Sequence, residues 1–456
     1  MRFPMLQFPG VNQADFEEAF AVLRRCRIDD PSPAGLEYPF FAPGGGYGPM
    51  WWQIDSSLAL GGWKWIDPRG AEDAVRNFLR IQKPDGRIPL YQPDTLPDSP
   101  HHSRQREGVS SLPKLFGVAY AIAERSEDES LVREIYQMLA HALSWWFEAR
   151  QDRETGLISA VFEECFPPYL GQSGEYAPPD TNMEVALGCY YAFWLADALG
   201  LAEEKMLFLR KCRQLQDVVN RYLWDEESGA YYPYLLRERR LERVLLASTF
   251  RVLSLDCAPP DRRARLTALM QEPGRFGWER FPLTSAAMTD PTFTITRGAY
   301  QYNASWSGGV WTLINEGVVQ SLLDAGEDAL GAALALKTVR AFCGNYAEYL
   351  SPDDGAGQGV REYAWSASQF LTLLIEVIFG VRFSRLRDTL FIDPHPDVSL
   401  FGQTIALRGL TLPEGSVLDL EIDCAEEPVV RYTLSETAEM KICIRGEYVR
   451  STGENA

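Results

Sequence analysis

Two kinds of helix alternate along this chain. Segments apolar on most faces begin near residues 54, 109, 181, 245, 307 and 362, a spacing of roughly 55 to 70 residues. Each has an amphipathic companion: 70–82, 129–150, 203–224, 261–271 and 327–342 follow the first five. The helix predicted over 13–26 carries Phe16, Phe20, Leu23 and Cys26 on one face, and it pairs with the last apolar segment, 363–379. A helix that is apolar all round must be covered all round, whereas its companion shows one face to water. Six of the first kind inside six of the second predict an all-α toroid, the (α/α)6 barrel.

The texture changes after Gly380. TIALRGLTL, SVLDLEIDC and VVRYTLS alternate apolar and polar positions and are rich in β-branched residues. The expected division is a barrel over 1–380, a small antiparallel β module over 381–450 and a tail over 451–456.

Composition narrows the class. With 46% hydrophobic and 23% charged residues the chain is an ordinary globular one. A net charge of −19 argues against nucleic acid or an anionic membrane as partner, since both require basic patches. The eight cysteines are scattered without a Cys-x-x-Cys pair, which argues against a disulfide framework and a zinc site. The N-terminus has no basic stretch followed by an apolar run, and no apolar run reaches the length of a membrane span, so a cytoplasmic protein is expected. The 12 Trp, 20 Tyr and 23 Phe, set among many carboxylates, suit the binding of sugars.

In the predicted ring the long loops all precede buried helices, so they gather at one end. Asp55, Asp180, Trp306 and Glu348 then meet around one pit, with the positive ends of the helix dipoles facing it. Glu348 lies between Tyr346 and Tyr349, ahead of the tight turn Ser351-Pro352-Asp353-Asp354-Gly355. Asp180, after Pro178-Pro179, heads the third apolar helix, where an acid also serves as a cap. Glycosidic cleavage needs such a pair, one carboxyl protonated to donate to the leaving oxygen and one ionised to activate water or attack. Asp55, flanked by Trp51, Trp52 and Trp63, reads as a sugar-hydroxyl acceptor or another helix-start acid, and Glu184 and Glu316 read as structural.

At these residues a resemblance becomes specific. WWQIDSS, PPDTNME, SWSGGVWTLIN and YAEYLSPDDG…EYAWSAS, in this order, resemble glycoside hydrolase family 63 and its relatives, the bacterial α-glucosidases and the mannosylglycerate and glucosylglycerate hydrolases. The resemblance spans roughly 45–375 and implies an inverting glycosidase acting on a terminal α-glucoside or related small glycoside, without metal or cofactor. It implies Asp180 as general acid and Glu348 as general base. A sugar-contacting set of Tyr47, Trp51, Trp52, Gln53, Asp55, Trp306, Trp311, Glu362 and Trp365 is expected around them.

Two features depart from that pattern. The family's Asp-Asn motif reads Asp180-Thr181-Asn182, and the β module is C-terminal, as in α-rhamnosidase-like proteins. An α-rhamnosidase-like activity is therefore one alternative. A sugar epimerase would need paired histidines, and His101, His102, His141 and His395 head no buried helix. A non-catalytic sugar-binding protein is the third, and Arg104 and Arg106 are candidates for an anionic leaving group.

Overall fold

The structure, a computed structural model, describes residues 3–92, 108–166, 175–295, 304–435 and 440–449. It is helical with small sheets. Its helices are α1 (Gln13–Cys26), α2 (Gln53–Trp63), α3 (Pro68–Ile81), α4 (Leu115–Arg125), α5 (Glu129–Ala149), α6 (Pro179–Ala198), α7 (Ala202–Tyr222), α8 (Pro260–Gln271), α9 (Thr312–Asp324), α10 (Asp328–Phe342) and α11 (Ala364–Thr372). A 3-10 segment, Ala247–Asp256, lies between α7 and α8, and a π-helical turn, Leu373–Ile378, extends α11.

The apolar elements contact one another in a closed cycle. α2 packs on α4, α4 on α6, α6 on Ala247–Asp256, that segment on α9, α9 on α11, and α11 back on α2. Burial follows the sequence pattern. Every residue from Pro179 to Cys189 of α6 is buried, whereas α7 buries Phe208, Cys212, Leu215 and Val219, one stripe at helical spacing. The closure between α2 and α11 depends on Gly62, where a Cβ would stand 2.8 Å from the Ser368 Cα. The Gly62 amide instead donates to the Ser368 Oγ at 2.7 Å.

Three helix expectations are corrected. α4 begins at Leu115 rather than near 109, because the Ser110 amide donates to Glu164 Oε1 (2.9 Å) and the Leu112 amide to the Glu163 carbonyl (2.7 Å). Backbone bonded outward in this way cannot enter a helical ladder. The expected α-helix over 245–255 is the 3-10 segment, broken at Ser254 (ψ 145°) and Leu255 (φ 56°). The fifth apolar helix begins at Thr312 rather than near 307, since Val310 exchanges backbone hydrogen bonds with Leu350.

The C-terminal sheets also differ from expectation. One orders Met5–Gln7, Thr404–Thr411, Val417–Asp423 and Val429–Leu434, all antiparallel, so the chain's N-terminal strand joins it. The other orders Val381–Ser384, Thr389–Ile392, Lys441–Ile444 and Glu447–Val449, and its central pair, Thr389–Ile392 with Lys441–Ile444, is parallel rather than antiparallel.

Candidate active site

The start of α6 is fastened to the segment 158–166 by three consecutive side chains. Asp180 Oδ2 accepts from the Phe166 amide (2.8 Å), Thr181 Oγ1 donates to the Glu164 carbonyl (2.7 Å), and Asn182 Oδ1 accepts from the Ile158 amide (2.8 Å). Asp180 is therefore no helix cap. The N-cap is Pro178, and Asp180 Oδ1 accepts from the amide of the adjoining Thr181 at 2.9 Å. Burial pushes the Asp180 carboxyl up to about 7, against the pull of the Phe166 and Thr181 amides. A carboxyl raised this far can hold a proton at neutral pH, which suits a proton donor.

Glu348 is also buried. It precedes the two-residue strand Tyr349–Leu350, which pairs with Gly357–Gln358 across the turn. Both carboxylate oxygens accept hydrogen bonds, Oε1 from the Tyr47 hydroxyl (3.0 Å) and Oε2 from the Val360 amide (3.1 Å). Gly359, at φ +70°, leaves no room for a Cβ, which would collide with the Glu348 carboxylate.

Asp55, in the first turn of α2, accepts from the Tyr363 hydroxyl at 2.8 Å. Burial holds its carboxyl well above the usual range; the Tyr363 bond opposes this, and the nearby charges of Glu163 and Glu348 add to it. Tyr47, 38% exposed, stands edge-on to both Trp52 (6.4 Å) and Tyr363 (6.0 Å).

Aromatic rings join the two catalytic candidates. Phe166, whose amide holds Asp180, meets Trp306 at 4.3 Å, and Trp306 lies flat on Trp311 at 4.0 Å. Trp311 stacks on Tyr349 at 4.7 Å and meets Trp365 at 5.9 Å. The Trp365 indole donates to the Glu348 carbonyl at 3.4 Å, and its ring meets Tyr363 at 4.6 Å. The Phe166 amide thus ties Asp180, and the Trp365 indole the Glu348 backbone, to one run of contacting rings. Trp311 and Trp365 are buried and form its backing, and Trp306 is partly open.

Other expected contacts lie elsewhere. Trp51 has no exposed surface and packs edge-on against Phe78 of α3 at 4.9 Å. Gln53 is buried, its amide reaching Ser110 Oγ and the Ile88 carbonyl at 3.4 Å. Glu362 points outward and pairs with Arg25 of α1 at 2.9 Å. His101, His102, Arg104 and Arg106 lie outside the described residues. His141 is exposed on α5, and His395 approaches Asp328 and Asp393 only at 3.9 Å.

Glu163, Phe166 and Tyr363 escaped the sequence reading. The adjoining acids Glu163-Glu164, set between two long loops, were the available signal. Glu164 is a structural acid, fully buried and bound bidentately by Arg150 (2.6 and 2.8 Å), while Glu163 lies toward Asp55.

Comparison with known families gives the class of this domain, that of a glycoside hydrolase. The chain belongs to the family described as the mannosylglycerate hydrolase MGH1-like glycoside hydrolase domain, which matches residues 48–165 and 163–366. The family 63 mannosylglycerate hydrolase from Thermus thermophilus, solved in complex with glucose, shares 22% identity at a TM-score of 0.65, over 78% of this chain and 99% of that one. The family 78 rhamnosidase of Bacillus sp. GL1 shares 18% identity at a TM-score of 0.67, over 97% of this chain and 43% of that one. These two likenesses are of fold. An uncharacterized protein from Borreliella burgdorferi is 23% identical over 249 residues, 55% of this chain, which spans 50% of the length of that relative. Among the described residues no helix is long and apolar enough to cross a membrane.

Proposed function

We propose that this protein is an inverting exo-glycosidase built on an (α/α)6 barrel with a small C-terminal β domain, and that its substrate is a small terminal α-glucoside or a related glycoside. Asp180 donates its proton to the glycosidic oxygen as the bond from the anomeric carbon breaks. Glu348 takes a proton from the water that attacks the opposite face. Asp55 and Tyr47 bind sugar hydroxyls, with Trp52 and Trp306 on the sugar's faces. The closed cycle of apolar elements supports the barrel.

One observation carries the chemistry. Two buried carboxyls adjoin one run of contacting rings: Asp180, raised by burial to about 7, suits the acid, and Glu348, which accepts from the hydroxyl of the partly open Tyr47, suits the base. Hydrolysis of a panel of nitrophenyl glycosides and natural disaccharides, with the first-formed anomer read by NMR, tests it. Release of the inverted anomer from α-glucosides or their relatives is the predicted result. A retained anomer would require Glu348 to act as a nucleophile instead.

A second reading is an α-rhamnosidase-like enzyme. The likeness to the Bacillus rhamnosidase extends over 97% of the chain, further than the 78% of the mannosylglycerate hydrolase. Turnover of an α-rhamnoside with no α-glucoside cleaved would decide for it.

A further inference from the structure

One turn below Asp180, on the same helix, Glu184 anchors a buried ionic cluster. Lys114 Nζ reaches Glu184 Oε1 at 2.7 Å, and Arg251 reaches the same oxygen through Nε (3.1 Å) and Nη2 (2.7 Å). Arg251 Nη1 also donates to the Gly317 carbonyl and to Ser321 Oγ (2.6 Å). Lys114, Glu184 and Arg251 are each under 10% exposed. The cluster ties four successive members of the inner cycle, at α4, α6, the Ala247–Asp256 segment and α9.

A buried ion cluster is a poor source of stability, because desolvation offsets much of the attraction. Its placement suggests another use. Residues four apart share a helix face, so Glu184 lies beneath Asp180, and Lys114 stands at the head of α4 against it. Gly317 keeps the cation in place: a Cβ there would stand 2.9 Å from Lys114 Nζ and 3.3 Å from Arg251 Nη1.

We propose that Lys114 and Glu184, locked by Arg251, form a charge clamp of positioning residues that tunes the pH at which Asp180 gives up its proton. This rests on Asp180 being the general acid. Burial is the largest influence on Asp180 and the Phe166 and Thr181 amides come next; after these Glu184 disfavours its anion and Lys114 favours it, in line with their charges. The other charged groups nearby are accounted for. Arg251 is engaged by Glu184, and Glu164 by Arg150. Glu316 on α9 is raised by burial against the pull of Lys114 and Arg251, and it accepts from Gln369 Nε2 at 3.4 Å.

The test uses opposite signs. The alkaline limb of kcat/KM reports loss of the acid's proton. Lys114→Met removes a cation, so the limb should move up by roughly one pH unit; Glu184→Gln removes an anion, so it should move down by a similar amount. Lys114→Arg should restore the limb. If Lys114→Met does not fold, Lys114→Gln, which removes the same cation but keeps a polar end, should move the limb upward. An activity-independent readout is the carboxyl titration of 13C-labelled Asp, with the Asp180 signal identified by its loss in Asp180→Asn. Opposite shifts in both readouts support the clamp. Lower melting temperatures with an unmoved limb and an unmoved titration would overturn it. Should Asp180→Asn keep full activity and the same alkaline limb, the acid assignment falls, and the clamp with it.

Discussion

At the scale of single residues, Asp180 joins stability to function. An Asp raised from 3.8 to about 7 is protonated in both folded and unfolded chains below pH 4, so it costs nothing there. Between pH 4 and 7 the folded state holds a proton that the unfolded state has lost, and stability falls as pH rises. Asp180→Asn removes that cost while sacrificing one acceptor. Its melting temperature relative to wild type should therefore be higher at pH 8 than at pH 5, by a difference on the order of 2–4 kcal/mol in stability. Thermal denaturation at the two pH values checks this. Tyr47→Phe should lower kcat/KM by roughly 10- to 100-fold with little change in melting temperature, because it removes one hydrogen bond to a charged acceptor at a partly open position.

The legibility of these residues followed backbone geometry. Asp180 and Asp55 stood out because each lies in the first turn of an apolar helix, and Glu348 because aromatic residues and a tight turn flank it. Trp51 and Trp52 occupy successive positions of a two-residue strand, so their side chains point to opposite sides and only one faces Tyr47. Adjacent positions also diverge at the head of α11, where Glu362 faces Arg25 and Tyr363 holds Asp55. Glu163 sits in an irregular segment, where no period indicates which way a side chain turns.

At the scale of elements, the ring depends on close approaches between helices. Gly62→Val should cost roughly 1–3 kcal/mol or more, because its Cβ would press on the Ser368 backbone rather than on a flexible side chain. Denaturant titration measures the loss. Outer helices such as α1 and α5 were readable to within about one residue, since one polar face fixes their phase. Starts of inner elements were harder: a buried apolar run reads alike whether it is helix, 3-10 or extended. What decided Ser110–Lys114 was a partner distant in sequence, the Glu163–Glu164 segment. In Ala247–Asp256 the Tyr231 amide donates to Thr249 Oγ1 at 2.9 Å, another tertiary tie that propensity does not show.

At the scale of the whole molecule, the first strand and the C-terminal sheet are one unit. Met5, Leu6 and Gln7 pair with Arg408, Leu407 and Ala406, which covers an edge that would otherwise be open. Removing residues 1–10 should lower the melting temperature and promote self-association, measured by calorimetry and light scattering. A three-residue strand at the opposite end of the chain carries too little pattern to be seen in sequence. The alternation of fully buried and one-faced helices, in contrast, was legible because it repeats.

The central claim is that Asp180 and Glu348 divide acid and base work between them. The most direct measurement is turnover of the best substrate from the glycoside panel by Asp180→Asn and Glu348→Gln, each with its melting curve. Losses of roughly 10²–10⁴-fold in kcat/KM by both folded variants are predicted. Near-wild-type turnover by either folded variant would contradict the assignment.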